Sequence, residues 1–231
     1  MWTSTDYRSA HAAYDWRDGA KACALYVFTM LALFVQGRLY LSSLSTGILA
    51  SLNIVRPLVS LMATLVIVWI SRERVESIGV TRRRFGESLA LGLALGCLLS
   101  FALGACERIA TGLPFAGFGA ASALSLLTFA VGALEEELCF RGYISTRLTG
   151  FFHNRVVASV VTGGLFLLYH YVIFWGVSGQ ISFDSISATR LVFILLLHFV
   201  CDAVYQRTNC IWGAVALHFL YNVTSGMLQF A

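Results

Sequence analysis

Charge is what this sequence has least of. Asp, Glu, Lys and Arg make up 12% of its 231 residues, against about 25% in an ordinary soluble domain. Hydrophobic residues make up 58% and the mean hydropathy is +0.77. Too few charges are present to cover a water-facing surface, which excludes a typical soluble globule. The net charge of +4 is small, and the basic residues fall between apolar runs. That pattern fits membrane topology and excludes a nucleic-acid-binding surface. There is no room for a second soluble domain of ordinary size, and there are no low-complexity tracts or clear repeats. No CxxC pair joins the six cysteines (Cys23, Cys97, Cys106, Cys139, Cys201 and Cys210). They read as small buried hydrophobes rather than a disulfide framework. No small-residue cleavage site follows the first apolar run, so that run reads as a retained helix.

What is present is a series of long apolar runs. Residues 1–20 are polar and are expected at the membrane surface. Spans are expected at about 22–40, 48–70, 88–106, 120–145, 156–175, 190–204 and 211–230, each near the ~20 residues needed to cross a bilayer. Arg56-Pro57 predicts a kink or late start in the second. The fold class is therefore all-α, a polytopic transmembrane bundle of about seven spans. It is read as one integral membrane domain over 1–231, with amino-terminal spans and a basic cytoplasmic loop in 1–119 and a motif-bearing core in 120–231. With the arginine-rich 71–87 loop inside and each span crossing once, eleven basic residues fall inside and four, Arg56 among them, fall at or near the outer face. The positive-inside rule then puts the amino terminus in the cytoplasm. The expected location is a plasma membrane, of the bacterial inner-membrane type.

Toward the end of the fourth run stands Glu135-Glu136-Glu137-Leu138-Cys139-Phe140-Arg141. Carboxylates are costly in hydrocarbon and rarely occur there without a partner or a task. On a helix, Glu137 and Arg141 share a face and can pair. Glu136 points about 100° away, so it is left free for chemistry. The plainer alternative is a solvated acidic cap at a membrane surface. Three histidines also lie inside apolar runs: His170, His198 and His218. Asp202 follows His198 by four residues and Asn222 follows His218 by four, so each pair shares a helix face.

Polar groups in a membrane bundle face inward and find each other, so one buried polar site is the economical reading. A carboxylate and a neutral imidazole, Glu136 with His170, can position and deprotonate a water. A second imidazole and a side-chain amide, His218 with Asn222, can stabilise a developing oxyanion. That set suits hydrolysis of a peptide bond without a covalent intermediate. Glu136, His170 and His218 are also acceptable Zn2+ ligands, although the HExxH signature is absent. Cys139 reads as packing.

Glu136-Glu137-x-x-x-Arg141, Phe166-x-x-x-His170 and His218-x-x-x-Asn222 resemble the three motifs of the CPBP intramembrane proteases, which include the CaaX prenyl-protein endopeptidases. The flanking Arg141-Gly142-Tyr143 and Tyr205-Gln206-Arg207-Thr208-Asn209 match as well. The resemblance covers about 120–223. It implies an active site inside the bilayer, with Glu136 and His170 activating water, His218 and Asn222 stabilising the oxyanion, and Glu137 and Arg141 bracing the site. It leaves open a glutamic type needing no cofactor and a zinc-dependent type. His198 and Asp202 depart from the family's small residues along that span. They read as a packing pair, or else as an accessory ligand or substrate contact.

The expected activity is that of an intramembrane endopeptidase. Its partners would be a membrane-attached protein or peptide substrate and the lipid bilayer, with no nucleic acid. A noncatalytic relative that binds a membrane peptide, in an immunity or scaffold role, is the alternative. A small proton-relay transporter is a third reading, with little support from the uninterrupted spans.

Overall fold

The computed structural model describes residues 3–42, 45–120 and 122–230. The parts of the expected ranges that fall at 1–2, 43–44, 121 and 231 lie outside the described residues. Helices dominate: α1 (Thr5–His11), α2 (Trp16–Leu39), α3 (Thr46–Ile70), α4 (Phe85–Thr111), α5 (Ala123–Glu136), α6 (Thr146–Phe152), α7 (Arg155–Ser178), α8 (Ala188–Thr208) and α9 (Trp212–Met227). A 3-10 turn (Val75–Ile78) precedes α4, and a π-helical segment (Glu137–Ser145) joins α5 to α6. Two short strands, β1 (Phe115–Phe118) and β2 (Leu228–Phe230), pair antiparallel. They lie in stretches that the sequence reading assigns to a link and to the end of the last span.

Among the described residues, five helices are long and apolar enough to cross a membrane: α2, α3 from Gly47, α4, α7 and α8. This is an integral membrane protein of the all-α class. α5 is broken by the π-helical segment, and α9 has 16 residues.

Local chemistry sets the helix ends. Asp15 and Asp18 form a reciprocal capping box at the start of α2, Asn154 caps α7 and Ser187 caps α8, satisfying the orphan amides of the first turn. Gly179, at φ +71°, closes α7 in the left-handed conformation that glycine adopts without strain. Pro57 does not break α3, and the late start expected there is not seen; the helix runs continuously from Thr46 to Ile70. A proline costs only local backbone bonds, and a span packed against neighbouring helices tolerates it.

α4 lies along α9, and α2 lies along α7. The first pair meets at Gly92 and Gly213, where a Cβ on either would collide with the other helix's backbone. Small residues at such crossings let membrane helices approach closely. Helices α2, α3, α5, α7, α8 and α9 and the π-helical segment carry the polar groups described below. The cysteines divide: Cys139, Cys201 and Cys210 are buried, whereas Cys23, Cys97 and Cys106 are exposed on the outer faces, and all six are free. The expectation of six buried cysteines holds for three.

Part of the amino-terminal segment packs against the bundle. Tyr7 and His11 are buried, Tyr7 packs edge-on against Tyr205 of α8 at 5.5 Å, and Ser4 N donates to the Gln206 carbonyl at 3.0 Å. His11 Nδ1 donates to the Tyr7 carbonyl at 2.7 Å. Burial lowers its pKa from 6.5 to about 4, and the Arg147 charge acts in the same direction. An unfolded chain protonates this ring below pH 6.5, the folded chain only below about 4. Between those values the unfolded state binds more protons. The full stability is therefore present above pH 6.5 and falls as the pH drops toward 4, by up to about 3 kcal/mol. The expected result is a thermal midpoint that falls more steeply between pH 7 and pH 5 in wild type than in His11→Gln. Parallel pH dependences would refute this account.

Candidate functional site

The three carboxylates at the end of α5 meet different fates. Glu135 is fully buried and its Oε2 lies 3.0 Å from Nη1 of Arg56 on α3. Glu137 is fully buried and its Oε1 lies 3.0 Å from Nη1 of Arg141. Glu136, between them, keeps 14% of its side chain exposed. Successive residues of a helix point about 100° apart, so each carboxylate faces a different neighbour.

Arg141 sits in the π-helical segment, a wider winding that recurs at functional sites. Its guanidinium lies over the Phe166 ring at 4.1 Å from the centroid. The Arg141–Glu137 approach is an ion contact without hydrogen-bond alignment, since the guanidinium nitrogens have no aligned acceptor among the described residues. Cation–π attraction supplies part of what that arginine lacks in hydrogen bonds.

Glu137 holds a second partner. His218 Nδ1, on α9, donates to Glu137 Oε1 at 2.7 Å, and the opposite ring nitrogen, Nε2, lies 3.7 Å from Glu136 Oε2. His218 thus stands between two carboxylates. On α7, His170 Nδ1 lies 2.7 Å from the Phe166 carbonyl. A carbonyl only accepts, so Nδ1 carries the hydrogen and the neutral ring has its lone pair on Nε2. Phe166 is the hub of this arrangement: its ring is 4.7 Å from His170, 6.3 Å from His218 and 5.6 Å from His198.

The structure therefore brings Glu136, Glu137, Arg141 and His218 into direct contact and joins His170 to them through Phe166. Asn222 lies one turn beyond His218 on α9 and is half-buried. Among the described contacts its backbone carbonyl accepts from Ser225 Oγ at 3.3 Å, and its side chain joins none of the other groups. His198 and Asp202 do not reach Glu136 in the described contacts. His198 Nε2 donates to the Ser159 carbonyl at 3.0 Å, and Asp202 accepts from Ser159 Oγ at 2.6 Å and Gln206 Nε2 at 2.8 Å. Both bind α8 to one residue of α7.

Among the described residues, no three His, Cys, Asp or Glu side chains are gathered closely enough to hold a metal ion. Glu136, His170 and His218 do not converge in that way in this conformation.

Sequence reasoning missed a second polar cluster. Arg56, counted there with the outer face, donates through Nε to Gln36 Oε1 at 3.2 Å and through Nη1 to both Glu135 and the Tyr169 hydroxyl. The Tyr169 hydroxyl also lies 3.4 Å from Glu135 Oε2. The available signal was an isolated arginine inside an apolar run and a third carboxylate outside the motif. Arg147, between the fourth and fifth expected spans, is fully buried, paired with Glu73 and lying against the Tyr143 ring at 4.0 Å.

Membrane-length helices closing around carboxylate, imidazole and guanidinium groups define a polytopic membrane protein with a buried polar centre. Residues 118–224 match the family model described as type II CAAX prenyl endopeptidase Rce1-like. That stretch is just under half of the chain, and over it the sequence is similar to that family. The matched range runs from the end of β1 into α9 and takes in Glu136, Glu137, Arg141, His170, His218 and Asn222. No curated protein and no solved structure matches the chain.

Proposed function

We propose that this protein is an intramembrane endopeptidase that cleaves a membrane-attached protein or peptide with a water activated by Glu136 and His170. One observation carries the reading furthest. Of three consecutive carboxylates, Glu135 and Glu137 are buried against arginines, while Glu136 alone stays partly accessible. Its Oε2 has no hydrogen-bond partner among the described residues. A general base needs a hydrogen bond left to take from its water; Glu136 Oε2, itself buried, has that bond unmade, and no arginine claims it as one does each neighbouring carboxylate.

In this reading a water donates one hydrogen bond to His170 Nε2 and the other to Glu136. Glu136 takes the proton as the water oxygen bonds to the scissile carbonyl carbon. The oxyanion receives hydrogen bonds from the Asn222 amide and from His218 Nε2. Because His218 Nδ1–H donates to Glu137, a hydrogen bond from Nε2 to the oxyanion requires the imidazolium form. As the tetrahedral intermediate collapses, the C–N bond breaks and Glu136 passes its proton to the leaving nitrogen. Glu137 and Arg141 hold His218 in place, and His198 and Asp202 hold α8 against α7.

The finer topology belongs to the same proposal. The run of α5 with the π-helical segment, Ala123–Ser145, and α9 would add two crossings to the five long helices, making seven in one membrane unit. The amino terminus would lie in the cytoplasm, in a plasma membrane of the bacterial inner-membrane type. The substrate class stays broad: a prenylated CaaX tail, a secreted peptide or a membrane sorting tail.

The test compares protein termini in membranes holding wild type or Glu136→Gln at matched levels. Termini formed only with wild type are expected. Their absence, with both proteins folded and abundant, would favour a peptide-binding relative instead. The glutamate–histidine chemistry is tested separately. Cleavage should continue unchanged after exhaustive chelation; loss of cleavage with recovery on adding Zn2+ would overturn that part and leave the protease reading standing.

A further inference from the structure

The Glu135 cluster lies outside the three motifs, yet its placement is specific. Glu135 immediately precedes Glu136 on α5, and Tyr169 immediately precedes His170 on α7. These two residues meet: the Tyr169 hydroxyl lies 3.4 Å from Glu135 Oε2. Arg56 of α3 donates to both of them, and its guanidinium is anchored from the other side by Gln36 of α2. Glu135, Tyr169 and Gln36 are buried, and the Arg56 side chain is 14% exposed. An arginine and a carboxylate inside a membrane bundle are expensive to keep there. This pair is spent on tying four helices together at the level of the two groups that activate water.

From this geometry we propose that Arg56 is a positioning residue for the reaction. Through Glu135 and Tyr169 it fixes α5 against α7 and so sets the separation between Glu136 and His170. The inference rests on the protease reading above and adds to it a device that touches neither substrate nor water. Positioning of this kind acts on the chemical step, because a small displacement of a base from its water lowers the rate without changing how substrate binds.

The experiment uses the full chain in detergent and a quenched peptide spanning a bond cut only in wild-type membranes. Three variants are compared: Arg56→Lys, Tyr169→Phe and the double variant Arg56→Met with Glu135→Leu. The double variant removes both charges together, which avoids leaving one buried and unpaired. Tyr169→Phe deletes a single hydroxyl and serves if the double variant fails to fold. The expected result is a kcat at least tenfold lower in the double variant and three- to tenfold lower in Tyr169→Phe, with KM within twofold of wild type. Arg56→Lys keeps the charge but loses the forked geometry, so its kcat should fall between wild type and the double variant. A folded double variant, or Tyr169→Phe, with kcat within twofold of wild type overturns the proposal. A raised KM with unchanged kcat also overturns it, since Arg56 would then bind substrate. If wild type makes no termini beyond those of Glu136→Gln, the protease reading itself fails and takes the positioning role with it.

Discussion

Glu136→Gln is expected to abolish cleavage while the protein still accumulates in the membrane. The substitution keeps the shape of the side chain and removes only its basicity. Glu136 makes no ion pair with an arginine and remains partly exposed, so the bundle loses little when the charge goes. Loss of a positioned general base lowers a rate by about 10²- to 10⁴-fold. His170→Ala should lower it comparably, because Glu136 alone cannot hold the water in line. The two losses should not add in full, since both residues act on one water and groups that act as a unit are strongly non-additive. Initial rates for the two single variants and the double variant, with folded protein quantified in parallel, test this. Full activity in either single variant would remove that residue from the water-activating pair, and full activity in both would end the protease reading.

Arg141→Met is expected to fail differently, through stability. Glu137 and Arg141 are both fully buried, 3.0 Å apart. Taking away the arginine leaves a buried carboxylate in a low-dielectric interior, with the His218 hydrogen bond but no arginine to balance its charge. Breaking one side of a buried pair typically costs about 3–5 kcal/mol, and here the cation–π contact with Phe166 is lost as well. The variant should melt at a markedly lower temperature in detergent and accumulate poorly. Arg141→Met combined with Glu137→Leu should recover part of the thermal stability, because no unpaired charge remains. That double variant should still cleave slowly, since His218 loses the carboxylate that orients it. A double variant as unstable as Arg141→Met would mean that the ion pair is not the source of the cost.

The motif in α5 was legible because spacing alone fixes which side chains share a helix face. Glu137 and Arg141 had to be neighbours on any helix, and the structure pairs them. The apolar lengths of α2, α3, α4, α7 and α8 were equally plain, since the bilayer sets the length of a crossing. Sequence also singled out Glu136 as the carboxylate free of Arg141. It could not say what became of Glu135, because Arg56 lies 79 residues away on another helix and no local rule joins them. Nor could it bury Tyr7 and His11, because Tyr205, which packs on Tyr7, lies nearly 200 residues on.

Composition and periodicity therefore determined, without any coordinates, that the chain is helical and lives in a membrane, and they marked the polar residues that need company there. Hydrophobic burial and helix spacing are local properties of the chain. Tertiary structure alone decided which partners came from other helices: His218 for Glu137, and Arg56 and Tyr169 for Glu135. These are choices among electrostatically similar pairings, and only the packing of separate helices, fixed by close approaches such as Gly92 on Gly213, selects among them.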